Sequence, residues 1–132
     1  MNESAPFEYA VIRIVPHEAR GEFMNAGVIL YCPAHRFLQA RISFDIERLK
    51  AFSPTVDIAH VQEHLATIPK ICAGNAEAGE LGKLSLAERF RWLTSPRNTI
   101  IQTSPVHSGL TDDPAKTLEH LVARLVVLPT NQ

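Results

Sequence analysis

The amino-acid sequence predicts an α+β fold in which helices pack on one face of a small, mainly antiparallel sheet. Three segments rich in β-branched and aromatic residues lie within the first 42 residues, and their order favours a three-strand antiparallel meander. Helical periodicity follows, interrupted once by a short strand-like segment. A chain of 132 residues, with 45% hydrophobic and 20% charged residues, is predicted to form one domain over residues 1–132.

The strands are predicted from runs of residues that fit a pleated surface. Residues 7–16 are apolar on nearly every position, so this strand is expected at the centre of the sheet. Residues 26–32 have the same character. Residues 36–42 alternate between apolar and polar side chains, which indicates one wet face. Residues 99–103 predict the short fourth strand.

The first two helices are predicted after the meander. Asp45 is a suitable cap for a short helix, and Ser53-Pro54 is expected to open the next one because proline is tolerated in a first turn. Pro69 is expected to kink or end that helix, since it removes a backbone donor. The apolar stripe of this second helix comprises Ile58, Val61, Leu65, Ile68 and Cys72.

Capping signals place the other two helices. Ser85 and Glu88 form a capping box, and Asp113-Pro114 is a cap followed by proline at the first helical position. Residues 73–83 and 104–112 are interpreted as loops because small and polar residues dominate them. The predicted core consists of Tyr9, Val11, Ile12, Ile14, Val28, Leu30, Leu38, Leu65, Phe90, Leu93, Leu121 and Leu125.

Charge and composition exclude several functional classes. The formal net charge of −1 argues against nucleic-acid binding, and no apolar run approaches the roughly 18 residues that a bilayer span needs. The first residues carry no export signal, and the two cysteines form no CxxC motif, so we expect a cytoplasmic protein with reduced thiols. No cofactor motif is present, and no cofactor is expected.

His60 and His64 belong to an H-x-x-E-H pattern, the inverted zincin signature. Helical geometry turns Glu63 away from the apolar stripe and leaves both histidines beside the wet side. No later helix offers an obvious third ligand, apart from Glu119 near His120. We therefore interpret the pattern as a solvated helix face and predict no metal site.

Two loops carry candidate catalytic and binding residues. Arg20, Glu22 and Asn25 precede a buried strand, where each polar group either closes its own turn or serves a ligand. Ser104 and His107 lie on the later loop, and a histidine among hydroxyls and aspartates is suited to acid/base chemistry. Glu22 and His107 are the catalytic candidates if the two loops converge.

The predicted third helix carries candidate binding residues. Arginine and tryptophan suit phosphate contact or a protein-binding hot spot. Arg89 and Arg91 diverge by about 200° on a helix, so they cannot form one fork, and one of them is expected to pair with a carboxylate such as Glu88. Trp92 and Arg97 complete this group.

Four ordered segments carry a family resemblance over nearly the whole chain. Residues 9–16, 20–31, 88–93 and 104–110, the last with Asp113-Pro114, resemble the bacterial family called Domain of Unknown Function 3037. The resemblance implies no activity, cofactor or catalytic residue. It does imply a small accessory protein, because members are often encoded beside a HipA-like kinase. The motif residues it marks are Arg20, Glu22, Asn25, Arg89, Arg91, Arg97, Ser104 and His107.

Two functional hypotheses follow from these observations. The first is a non-catalytic binding or accessory module that works with a protein partner such as a HipA-like kinase. The second is a small enzyme or anion-binding protein that uses the loops at 17–25 and 94–112, with Arg97 as an anion clamp. A homo-oligomer is open under either hypothesis, whereas the membrane and nucleic acid are not expected partners.

Overall fold

The N-terminal third folds as the predicted antiparallel meander of β1 (Ala5–Ile14), β2 (Met24–Cys32) and β3 (Phe37–Ile42). The computed structural model describes residues 4–127. The other edge of β1 pairs antiparallel with β4 (Ile101–Thr103) and then with β5 (His107–Thr111). The strand order is therefore β3-β2-β1, followed by β4 and β5 end to end. The central position predicted for the first strand is confirmed.

Four α-helices accompany the sheet in the described chain, and each begins at a side-chain cap. The carboxylates of Asp45, Asp57 and Asp113 and the hydroxyl of Ser85 accept hydrogen bonds from first-turn amides that lack a helical partner. Ser85 and Glu88 form the predicted reciprocal capping box. The helices are α1 (Ile46–Phe52), α2 (Ile58–Ala73), α3 (Leu86–Leu93) and α4 (Pro114–Leu125).

The α+β class is confirmed, but the helices lie on both faces of the sheet and not on one. Ile12 and Ile29 pack in a cluster with α1, α2 and α3, whereas Phe7, Val28 and Leu30 pack with α4 on the opposite face. The reason lies in β1 and β2, whose alternating side chains are apolar in both directions. Each face must be covered to remove that surface from water.

The predicted core residues are buried or nearly so. Ten of the twelve have less than a tenth of their surface exposed, and Tyr9 and Leu125 are half-buried against the α4 cluster. Cys72 lies on the buried stripe of α2, as predicted.

The boundaries of α2 differ from the prediction at both ends. The helix begins at Ile58, because Asp57 caps it by accepting from the His60 amide, and Ser53-Pro54 lies in the preceding turn. It continues through Pro69, since Ile71 and Cys72 beyond the proline are buried against the sheet. Burial of these side chains offsets the lost backbone hydrogen bond.

Two segments predicted as loops contain regular structure. Residues 76–83 form 3₁₀ turns with a kink at Gly79, whose φ of 62° favours glycine. Residues 107–111 form β5, although the sequence of that strand has no clear apolar alternation. This segment forms a strand because it pairs with β1, and its local sequence propensity does not predict that.

We predict that Leu118→Ala destabilises the domain by about 2–5 kcal/mol, because Leu118 is 1% exposed at the centre of the α4 contact with the sheet. Chemical denaturation monitored by circular dichroism measures the free energy of unfolding. Val127→Ala, a 49%-exposed position just beyond the same helix, is the matched control and should change it by less than about 0.5 kcal/mol. Equal effects of both changes would contradict the packing of α4 on the sheet.

Candidate functional site

A groove of about 430 Å³ runs between α2, the end of α3 with its following turn, and β4. Its base is apolar and consists of the buried side chains Ile68, Ile71, Leu93 and Ile101. Polar side chains surround this base. An apolar cleft with a few placed polar groups is the usual form of a binding site.

Trp92 and Arg97 form one wall of the groove. The guanidinium carbon of Arg97 lies 4.0 Å from the centroid of the Trp92 ring, within cation–π distance. Arg97 also donates hydrogen bonds to the carbonyls of Leu93, at 3.2 Å, and Trp92, which are carbonyls of the last turn of α3. Trp92 remains 40% exposed. The stacked pair is thus held in place and still faces solvent.

Arg97 has no carboxylate within ion-pair distance among residues 4–127. Partial burial lowers the pKa of its guanidinium from the usual value, and an arginine side chain stays charged in proteins. An anionic group that enters the groove therefore finds a cation that the described part of the domain does not neutralise.

The opposite wall consists of α2 side chains that sequence reasoning assigned to a solvated face. Glu63, His64 and Thr67 line the groove, and His60 lies outside it with its ring centroid 4.6 Å from that of His64. The local sequence marks Glu63 and His64 only through the H-x-x-E-H spacing, and nothing in it indicates a groove wall, because the second wall comes from a segment about 30 residues later. Within residues 4–127, no group of three potential metal ligands lies together. That the H-x-x-E-H pattern binds no metal stays a prediction.

The free edge of β4 opens along the groove. Val15 donates its amide to the Ile100 carbonyl at 2.7 Å, and Ser104 donates its amide to Val11 at 2.9 Å, so even-numbered residues here face β1. The alternation of a strand then turns the backbone groups of Ile101 and Thr103 away from β1. Both residues line the groove.

One of these outward groups is already satisfied. The Thr99 hydroxyl donates to the Ile101 carbonyl at 2.6 Å. The Ile101 amide and both backbone groups of Thr103 are left, and in the described chain no strand pairs with this edge. The groove therefore combines an apolar base with a row of backbone donors and acceptors.

Arg89 is a structural residue and not a binding residue, contrary to the sequence hypothesis. It is 8% exposed and donates hydrogen bonds to the carbonyls of Ile71, Cys72 and Leu84 at 2.9, 2.7 and 3.0 Å. The first two carbonyls belong to the last turn of α2, where a cation is favourable. Arg91 is exposed on α3 outside the groove and forms no ion pair with Glu88.

Ser104 also has a structural position. Its hydroxyl accepts a hydrogen bond from the Val11 amide at 2.8 Å and donates to the Pro105 carbonyl at 2.9 Å. Ser104 stands where β1 passes from β4 to β5, and its side chain supplies the acceptor that a regular ladder would supply from the backbone. The side chain is therefore occupied within the sheet.

The residues of the first loop separate into two places. Arg20 and Glu22 form an exposed ion pair at 2.6 Å, and the hydrogen bond from Arg20 lowers the pKa of the Glu22 carboxyl. Asn25 instead donates its amide to the Leu125 carbonyl at 2.9 Å and so fastens the end of α4 to β2. Asn25 does not close its own turn.

The proposed acid/base pair of Glu22 and His107 is not supported, because the structure places the two side chains apart. His107 pairs with Tyr9 and contacts its ring, with centroids 5.2 Å apart. Glu22 precedes Met24, which pairs with Ile14. Five residues of β1 separate these two positions, a rise of about 17 Å. The two candidates do not form one catalytic site.

Comparison with known proteins gives one match. A family model described as a protein of unknown function, DUF3037, matches residues 9–126. None of the curated proteins or solved structures compared with the chain matches it. In the described residues, no helix is long and apolar enough to cross a membrane.

We predict that Arg89→Met destabilises the domain by about 1–3 kcal/mol, because the buried carbonyls at the end of α2 lose their donors. Arg91→Met, two residues along the same helix but exposed, is the control and should stay within about 0.5 kcal/mol of the original protein. The midpoint of urea unfolding distinguishes them. Equal midpoints for the two variants would show that Arg89 does not stabilise the end of α2.

Proposed function

Because the chain belongs to the DUF3037 family of proteins of unknown function, we propose a function from the chemistry of its own groove. The protein is a non-catalytic binding domain that takes an extended segment of a partner protein between α2 and β4. The observation that carries this proposal is the free edge of β4, which lies along an apolar groove with Trp92 and Arg97 on its wall.

The backbone of β4 supplies the means of holding an extended chain. A strand added beside β4 accepts from the amides of Ile101 and Thr103 and donates to the Thr103 carbonyl. These bonds are independent of the partner's side chains, so they provide affinity for any extended segment. They also fix the direction of its side chains, because every second side chain then points into the groove.

The walls of the groove supply selectivity. The apolar base formed by Ile68, Ile71 and Leu93 favours an aliphatic or aromatic side chain of the partner. Arg97 on one wall favours an acidic residue, and Glu63 on the other disfavours it. This difference between the walls selects one orientation of the bound segment. Trp92, exposed and held by Arg97, has the properties of an interface hot spot.

The partner included in the proposal is a HipA-like kinase in the cytoplasm. The family resemblance supports the kinase by association of genes, and the two cysteines, buried in different clusters as free thiols, are consistent with a reducing compartment. The alternative of a small enzyme has less support, because the β1 positions that pair with Met24, two residues after Glu22, and with His107 are about 17 Å apart.

We predict that Trp92→Ala weakens binding to the purified kinase about tenfold or more, since an exposed aromatic anchor is lost from the groove. Arg97→Gln should weaken binding by a smaller factor that decreases as salt is added, because a charge contact is screened. Arg91→Gln, on the same helix outside the groove, is the matched control and should bind as the original protein does. Isothermal titration calorimetry measures each dissociation constant.

A separate variant tests the contribution of the β4 edge to binding. Thr103→Pro removes an outward amide that no residue of the sheet uses, so the fold should persist while the added strand loses a hydrogen bond. Circular dichroism checks the fold. Unchanged affinity of the Trp92, Arg97 and Thr103 variants would exclude this groove, and absence of binding to the kinase by the original protein would exclude the named partner.

A further inference from the structure

β5 is an edge strand without the usual protection against strand pairing. Proteins guard such edges with charged residues, prolines within the strand, or a covering element. The strand reads His-Ser-Gly-Leu-Thr, and it pairs only with β1 in the described chain. Leu110 on this strand is 71% exposed, the highest value among the large apolar side chains of residues 4–127.

The backbone alternation shows which groups of β5 are free. Val11 faces this edge, because its carbonyl accepts from the Ser104 amide and its amide donates to the Ser104 hydroxyl. Odd-numbered residues of β1 therefore bond to β5, and their partners are His107, Gly109 and Thr111. The amide and carbonyl groups of Ser108 and Leu110 consequently point away from the sheet.

The side chains of the outward-bonding residues lie on an open corner of the sheet. Ser108 and Leu110 pair with Glu8 and Pro6, all four of which are exposed. On the other face, the ring of Phe7 covers Gly109 so closely that a Cβ there would lie 2.8 Å from it. Val106, immediately before the strand, is 41% exposed. The corner thus presents apolar side chains beside unpaired backbone groups.

We propose that β5 pairs antiparallel with β5 of a second copy of this chain, about a two-fold axis through Ser108. In this register Ser108 lies opposite Ser108 of the second copy, and their backbone groups exchange hydrogen bonds. Leu110 lies opposite Val106 of the second copy, and the symmetry repeats this apolar pair. The two sheets become one continuous sheet.

The charge pattern favours a second copy as the occupant. No Asp, Glu, Lys or Arg occurs from Ser104 to Thr111, so the two facing strands carry no like charges, and the carboxylate of Glu8 on β1 lies one strand behind each edge. The first acidic residue beyond the strand, Asp112, comes opposite the uncharged Ser104 of the second copy. Both exposed apolar side chains find a partner in this single register. A five-residue edge gives a small interface, so we expect a dissociation constant in the micromolar range.

This dimer goes beyond the proposed binding function and does not require it, since the groove beside β4 uses different residues. Sedimentation velocity on the full chain, from about 5 to about 500 μM, tests it without any partner protein. The original protein should change from monomer to dimer across this range. A monomer at every concentration would overturn the proposal, whatever the kinase measurements give.

Two variants locate the interface on β5. Leu110→Lys places a charge on an exposed edge position, and Ser108→Pro removes an amide that has no role in the pairing with β1, so both should remain folded and monomeric. Phe52→Lys changes an exposed aromatic residue near the other end of β1 and should dimerise like the original protein. Dimers that persist in Leu110→Lys with a native thermal unfolding curve would place the interface elsewhere.

A cross-link tests the register. Ser108→Cys should join two copies efficiently through a short bifunctional maleimide, because the two side chains meet at the axis. Background reaction is low, since Cys32 and Cys72 are buried and burial raises the pKa of the Cys72 thiol to about 12. Lys116→Cys, exposed on α4, is the control. A cross-linked yield at 108 no higher than that at 116 would contradict the proposed axis.

Discussion

The structure depends on one strand that is buried on both faces and paired on both edges. β1 carries apolar side chains in both directions, so α1, α2 and α3 cover one face and α4 covers the other. Its inner edge pairs with β2 along most of its length, and its outer edge is shared between β4 and β5. The other strands except β3 pair with it directly, α3 and α4 contact its neighbour β2, and α2 packs against β3 and β4.

Several polar side chains hold this arrangement together, although their residue types are also those of binding sites. Arg89 donates to the carbonyl end of α2, Asn25 to that of α4, and Arg97 to that of α3. Ser104 satisfies Val11 between two strands. Helix ends and strand junctions leave unpaired backbone groups, and long polar side chains are well suited to reach them. Arg97 differs because it also borders the groove.

The sequence predicted those parts of the fold in which local pattern and tertiary contact agree. The meander follows from apolar runs, and the cap at Ser85 follows from its own neighbours. The failures have a common cause, which is that distant residues decide the outcome. β5 forms because β1 lies beside it, and α2 passes Pro69 because Ile71 and Cys72 are buried beyond it. The apolar runs that predicted a central position for β1 also imply that both faces of the sheet are covered by helices. The sequence prediction used them for the first conclusion only.

The candidate site was predictable only in part for the same reason. Trp92 and Arg97 stand out by residue type, whereas Glu63 and His64 have the spacing of an ordinary wet helix face. The groove exists because α2 and β4 approach each other across the fold. Arg89 and Ser104 were candidates because of their residue types, but their side chains form hydrogen bonds with backbone groups of the fold. Distinguishing these classes needs the positions of backbone carbonyls and amides, and a residue pattern does not contain them.

The interruption at Ser104-Pro105 has a consequence for solubility during folding. Without it, residues 101 to 111 would form one long, uncharged edge, a template on which chains stack into cross-β aggregates. Pro105 has no amide to donate, and the Ser104 hydroxyl draws the chain out of a regular ladder at that point. The break divides this edge into β4, of three residues, and β5, of five, each shorter than the segments of about six or seven residues that are typical of cross-β stacking. The sheet thus has two separate short edges on one side, each with its own outward backbone groups.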